Sequence, residues 1–255
     1  MYIEEKRILD AFKRYTDAYD GSNGKIKLKV NHTYRVAGLC REIAVSIGLD
    51  LEDAALAWLI GMLHDIGRFE QIKRYDTFSD VASVDHAMLG ADILFQEGKI
   101  RDYIDDDRED TLIETAIRQH SLYRIDENLS ERTQLFCNIL RDADKIDILK
   151  VFSDTSMEAV YGVTHEEVYT SEVSPAVMAS FFEHHATLRS LKKTTVDFLV
   201  ANISLVYELV FSGSKKILRE RGYLDKLLDF KSENDKTNAQ FDSIREELKL
   251  CGIVS

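Results

Sequence analysis

The chain has 255 residues, 45% of them hydrophobic, enough to bury a large core without disulfides and too many for a disordered protein. Its 33 basic against 45 acidic residues give a net charge of −12, which excludes broad electrostatic capture of a nucleic-acid polymer or an anionic membrane. One proline in the whole chain, against roughly 5% in ordinary usage, is fewer than a fold of many strands and tight turns normally uses and points to helices.

No apolar run approaches the roughly 20 residues of a membrane span, and Met1 to Asp10 carries Glu4, Glu5, Lys6 and Arg7 where a signal peptide needs an apolar stretch. Cys40, Cys137 and Cys251 are few, odd in number and far apart, as expected of reduced thiols. The expectation is a soluble, cytoplasmic protein without membrane partners.

Apolar positions recur every three or four residues along nearly the whole chain, predicting an all-α fold. In chain order the predicted helices run from Ile3 to Tyr19, Asn31 to Ile47, Leu51 to Ile66, Asp85 to Glu97, Asp107 to Ser121 and Ser130 to Ser153. They continue from Pro175 to Arg189, Lys193 to Phe211, Lys215 to Phe230 and Asp235 to Leu250. Asp20-Gly21-Ser22-Asn23-Gly24 reads as a loop, Gly48 as a helix stop, Asp50 as an N-cap, and Ser174-Pro175 as an N-cap with proline at the first helical position. No repeat or linker interrupts the chain, so a single domain over residues 1–255 is expected, with a helical extension after about Ser153.

Six residues stand out: His32, the pair His64-Asp65, His86, His120 and Asp144. Each position falls on or at the end of a different predicted helix, the way bundles build metal sites from inward-facing side chains. Imidazole with carboxylate suits Fe, Mn, Ni, Co or Zn, and no thiolate lies near them in sequence. Upstream of the pair, Trp58-Leu59-Ile60-Gly61-Met62-Leu63 draws the segment inside, where an ionised aspartate is costly unless paired or metal-bound. Neighbouring helical residues point about 100° apart, so His64 and Asp65 share an ion only beside a helix end, and Gly67 is the expected end.

The ordered pattern His, His-Asp, Asp resembles the HD-domain superfamily of metal-dependent phosphohydrolases. So does the surrounding text: Leu63-His64-Asp65-Ile66-Gly67-Arg68, Asp85-His86-Ala87-Met88-Leu89-Gly90-Ala91 and Leu140-Arg141-Asp142-Ala143-Asp144-Lys145-Ile146. The likeness covers about residues 30–150 and implies an HD helical bundle over about 25–155, followed by a helical extension over 156–255. It implies one metal held by His32, His64, Asp65 and Asp144, with His86 and His120 as the extra ligands of dinuclear members and Asp65 bridging. One or two divalent ions would activate a water against phosphorus. Arg68 and Lys145 match positions that meet phosphate oxygens in the family, and Arg35, one turn after His32, is a weaker candidate for the same role. The implied substrate is a small phosphorylated molecule, a phosphomonoester or a nucleotide-type phosphate.

Taken singly, each histidine reads more simply as a hydrogen-bonded core residue; only the ordered set carries the metal reading. Arg68 and Lys145 read equally well as ordinary ion-paired charges. His184-His185 point to different sides of a helix and are read as structural, His165 as part of a helix first turn, and Asp105 to Asp110 as a solvated helix start. Gly67 to Val84 reads as a long connection that lines a substrate entrance or is plain surface. After His120 the chain lacks the Gly-Tyr-Pro element of the HD-GYP cyclic-dinucleotide phosphodiesterases. Two alternatives remain: a mixed-valence di-iron oxygenase, which the same six ligands resemble, and a metal-bound regulatory module. The aromatic-rich last hundred residues read as core packing, with a cover over the site or a homodimer face as other uses.

Overall fold

The computed structural model describes residues 3–158 and 163–254; residues 1, 2, 159–162 and 255 of the expected domain lie outside the described ones. Every regular element among the described residues is helical, and no described helix is long and apolar enough to cross a membrane. The chain divides into two compact units, Met1–Asp144 and Lys145–Ser255.

In the first unit, α1 (Glu5–Thr16) buries Ile8, Ala11 and Phe12, a single stripe at helical spacing. Helix α2 (Gly24–Ser46) is capped by Asn23, whose side chain accepts from the Lys25 N–H, and α3 (Leu51–Leu63) by Asp50, which accepts from the Asp53 N–H. Every residue of α3 from Leu56 to Leu63 is buried, so this helix is apolar on all sides and forms the centre of its unit. Gly61 lets α2 approach closely, since a Cβ there would lie 2.6 Å from the Cα of Ala37. Helix α4 (Ile66–Tyr75) lies against α5 (His86–Ala91), which continues as a wider turn over Asp92–Gln96. This contact too depends on glycine: a Cβ on Gly67 would meet the His86 carbonyl oxygen at 2.2 Å and the Gly90 nitrogen at 2.5 Å. Helices α6 (Asp110–Gln119) and α7 (Glu131–Asp154) follow, and Arg132 ties them to α3 by pairing with Asp53 at 2.7 Å and Glu109 at 3.0 Å.

Among the boundaries in this unit that differ from the sequence expectation, those around the candidate site matter most. Helix α2 starts seven residues before Asn31, because Asn23 caps it and Ile26 continues its buried stripe. The helix expected over Leu51–Ile66 breaks at His64-Asp65, with Asp65 in a non-helical conformation (φ −107°, ψ 17°), and Gly67 lies in the first turn of α4 rather than ending a helix. Its lack of a side chain serves the approach to α5. Much of the expected connection from Gly67 to Val84 is therefore helix, with Phe69 and Ile72 in the core.

The second unit contains α8 (His165–Tyr169), α9 (Pro175–Phe182), α10 (Thr195–Ile203), α11 (Ser212–Arg221), α12 (Tyr223–Leu228) and α13 (Asp235–Leu250). Phe181, Val196, Val200, Ile203, Phe241, Ile244 and Leu248 are fully buried in it. Thr164 and Glu167 close a capping box on α8, in line with the first-turn reading of His165. Pro175 opens α9 as expected, but the Ser174 hydroxyl donates to Asp197 instead of capping its own helix. The buried Asp197 carboxylate is satisfied by the Ser174, Lys193 and Thr194 N–H groups as well, at 2.7–3.0 Å. The expected Pro175–Arg189 helix ends at Phe182, where the chain turns through His184 at φ 60°. The Lys193–Phe211 helix passes into a tighter turn over Ser204–Glu208, and the Lys215–Phe230 helix is split by Gly222 at φ 63°.

The two close approaches give a test with its own control. Gly61→Ala or Gly67→Ala forces helix backbones apart and is expected to cost about 2–3 kcal/mol, a melting temperature lower by roughly 5–10 °C. Gly38→Ala, with nothing within 4 Å of the added carbon in mid-α2, is expected to hold or raise it, since alanine is favoured over glycine in helices by about 1 kcal/mol.

Candidate metal centre

The local folding of the first unit explains why two adjacent residues aim at one place. His64 ends α3 still in helical conformation (φ −56°, ψ −35°), whereas Asp65 (φ −107°, ψ 17°) forms the joint before α4, so the pair does not keep the regular helical spacing that would separate the two side chains. His32 lies on α2, His86 opens α5 behind the Asp85 cap, His120 caps the end of α6, and Asp144 lies on α7. All six side chains predicted from the sequence meet.

Asp65 stands between two histidine pairs and gives one oxygen to each. Its Oδ2 lies 3.4 Å from Nε2 of both His32 and His64, and its Oδ1 lies 3.5 Å from Nε2 of His86 and 3.9 Å from Nε2 of His120. Within the pairs, the Nε2 atoms of His32 and His64 are 3.3 Å apart and those of His86 and His120 are 3.1 Å apart. Asp144 Oδ1 completes the first set, 3.2 Å from His32 Nε2. The histidines and Asp65 are buried, while 19% of the Asp144 side chain is exposed.

The donor set fits divalent metal. His64 and His120 each donate Nδ1–H to a backbone carbonyl, of Gly61 and Ile117, at 2.7 Å, and His86 donates Nδ1–H to the Asp80 carboxylate at 2.9 Å. A neutral imidazole holding its proton on Nδ1 has a bare lone pair on Nε2. His86 and His120 thus face each other with two lone pairs and no proton between them, an arrangement that a cation satisfies and a hydrogen bond does not. Either His32, His64 and Asp144 or His64, Asp65 and His120 bring three ligand atoms within reach of one ion.

A family model described as HD domain matches residues 30–149. Residues 30–149 are an HD domain. No curated protein and no solved structure matches the chain. The matched stretch contains all six converging residues, and HD domains are mostly metal-dependent phosphohydrolases.

Around these six, the HD domain adds residues that sequence patterning did not single out. Lys29, one turn before His32 on α2, places its ammonium 2.6 Å from Asp65 Oδ2. Its i−3 spacing from a ligand histidine was the available signal. Asp80, in the loop after α4, accepts from His86, from Arg68 at 2.8 Å and from Gln71 at 2.9 Å. No periodicity reaches such a loop residue. Arg68 is held by Gln71, the Phe78 carbonyl and Asp80, and its Nε lies 3.7 Å from Asp65 Oδ1. Lys145 follows Asp144 directly on α7 and is buried, and Arg35 lies half-buried one turn beyond His32. His165, His184 and His185 belong to the second unit.

Charge explains the protonation states. Burial pushes the Asp65 carboxyl up, but Lys29, then His64 and His32, outweigh it and hold the group well below the usual carboxylate range. Asp144 is lowered in the same way, against burial, chiefly by His32. Burial, reinforced by His86 and His64, lowers His120 to about 3, and burial also lowers His86 against the opposing pull of Asp80.

For His120 the unfolded value is about 6.5, so below that pH the unfolded chain binds a proton that the folded chain refuses until about 3. Stability therefore falls as pH falls. Thermal melts of chelator-treated protein are expected to show a melting temperature declining from about pH 6.5 toward pH 5, above the range in which carboxylates respond, with a shallower slope in His120→Asn. Asp80→Asn, which removes the charge that orients His86, is expected to weaken one metal-binding step by about 10–100-fold. Calorimetric titration with Mn²⁺ reads it, and an unchanged isotherm would count against the role of Asp80.

Proposed function

We propose that the HD domain hydrolyses the phosphate ester of a small molecule, a phosphomonoester or a nucleotide-type phosphate, with one or two divalent transition metal ions held by His32, His64, Asp65, His86, His120 and Asp144. The observation that carries this reading is the division of the Asp65 carboxylate between two histidine pairs, the disposition of a ligand bridging two ions. When bound, such ions lower the pKa of water and neutralise charge on phosphoryl oxygens. Two dications against Asp65 and Asp144 leave a local charge of about +2 on a chain whose net charge is −12, so the centre attracts anions that the rest of the surface repels.

The chain's own residues orient the reaction. His64 and His120 are locked by backbone carbonyls and His86 by Asp80, so the rings need no rearrangement to bind. Residual exposure marks the approach: 19% of the Asp144 side chain and 15% of Lys29 face solvent, against 0–4% for the histidines. A phosphate arriving on that side meets the Lys29 ammonium first. Arg68 sits deeper, committed to Asp80, and steadies His86 besides lending charge to a bound phosphate. Lys145 remains a phosphate contact proposed from its place beside Asp144. The free thiols Cys40, Cys137 and Cys251 support a reducing, cytoplasmic setting.

A panel of phosphorylated metabolites, assayed for phosphate release with Mn²⁺, Co²⁺, Ni²⁺ or Fe²⁺, is the test. At least one substrate is expected to turn over, with release falling to background in Asp65→Ala. Lys29→Met is expected to raise KM by about 10–100-fold through loss of a charged hydrogen bond. A flat panel, or oxygen uptake by the iron-loaded chain without phosphate release, would overturn the proposal, the latter in favour of the di-iron oxygenase.

A further inference from the structure

The second unit has a donor cluster of different chemistry. Glu247 and Cys251 lie four residues apart at the C-terminal end of α13, on one face of the helix, and His184 reaches them from the turn after α9. His184 Nε2 is 2.7 Å from Glu247 Oε1, the Cys251 sulfur is 3.7 Å from the same nitrogen, and the sulfur is 3.6 Å from Glu247 Oε1.

These distances separate two readings. In a Cys-His-acid relay the acid would hold the ring nitrogen opposite the sulfur. Here the carboxylate and the sulfur crowd the same nitrogen, so the relay is unavailable. Around a tetrahedral zinc ion with Zn–S of about 2.3 Å and Zn–N or Zn–O of about 2.0–2.1 Å, ligand edges are about 3.5 Å when one atom is sulfur and about 3.3 Å otherwise. Both edges involving Cys251 already match within about 0.2 Å. The third needs the His184–Glu247 contact to open by about 0.6 Å, well within the reach of two side chains that are 46% and 23% exposed.

Independent features point the same way. His184 takes a left-handed backbone conformation, φ 60°, that L side chains avoid, and its ring leans on Tyr207 with centroids 4.8 Å apart. The helix C-terminus beside Cys251 carries partial negative charge that favours a cation. A cavity of about 240 Å³ opens beside the cluster, bordered by His184, Cys251, Tyr207, Lys215 and Arg219. The Tyr207 hydroxyl is buried without a hydrogen-bond partner.

We propose that His184, Glu247 and Cys251 form a metal site of their own, taking zinc or a similar thiophilic divalent ion, with the fourth position open to the cavity. Binding releases the thiol proton to solvent and leaves the imidazole proton on Nδ1. Thiolate and carboxylate together balance the charge of the ion, so a water or a small anion drawn by Lys215 and Arg219 completes the set.

Cobalt titration of the full chain tests this, because a thiolate ligand gives a near-ultraviolet charge-transfer band that a centre of imidazole and carboxylate lacks. Wild-type protein is expected to develop the band, zinc to abolish it, and Cys251→Ser, a change at an exposed position, to lose it while keeping the wild-type circular dichroism. His184→Asn is expected to weaken it at least tenfold in cobalt concentration, and native mass spectrometry to find one zinc fewer in Cys251→Ser than in wild type. Absence of the band in wild-type protein, or its survival in Cys251→Ser, overturns the proposal.

Discussion

Asp65 is an ionised group with 2% of its side chain exposed, and an uncompensated charge in such a place costs several kcal/mol. The first unit answers that cost from every side. Lys29 sits on one carboxylate oxygen, two histidines face each oxygen, and Arg68 approaches Oδ1. This compensation requires α2, α3, α5 and α6 to bring their polar residues to one point, and ordinary side chains in the helix contacts would hold the backbones too far apart. Gly61 against Ala37 and Gly67 against Gly90 remove that obstacle at two contacts flanking the His-Asp pair. The glycines and the residues that converge on Asp65 are two parts of one constraint, a charge buried where helices cross.

The six converging residues are legible in the sequence as an ordered set rather than singly, and Asp65 carries most weight because it follows the apolar Trp58-Leu59-Ile60-Gly61-Met62-Leu63, where an ionised group is costly unless paired or metal-bound. That the pair must lie at a helix end also followed from helix geometry. The residue that makes the end did not. Gly67 looked like a stop because glycine usually is one, yet the break occurs in the backbone of Asp65 and glycine is there for packing. Periodicity cannot tell these uses apart, since both are tertiary facts seen locally as one small residue. Lys29 falls outside a helix that begins at Asn31; with Asn23 as the cap, three residues of spacing put Lys29 on the face of His32. Asp80 was beyond reach, as a loop residue whose position is set by Arg68, Gln71 and His86 together.

The two donor clusters differ in softness, and that difference has consequences for which ion goes where. The centre of the HD domain is built from nitrogen and oxygen. Its sequence neighbour of opposite character, Cys40, is fully buried, and burial, with the charges of Asp144 and Asp142, drives its thiol far above the ordinary range. Imidazole and carboxylate alone accept manganese, iron, cobalt, nickel or zinc, with affinity rising from manganese to nickel, so the ion in place depends on supply as much as on the site. In the site proposed for the second unit, a Cys251 sulfur among the ligands would change the ranking toward thiophilic ions. With both kinds of ion present, zinc drawn to sulfur would leave the harder nitrogen and oxygen ligands to ions that compete poorly for thiolate, and one chain would hold unlike metals.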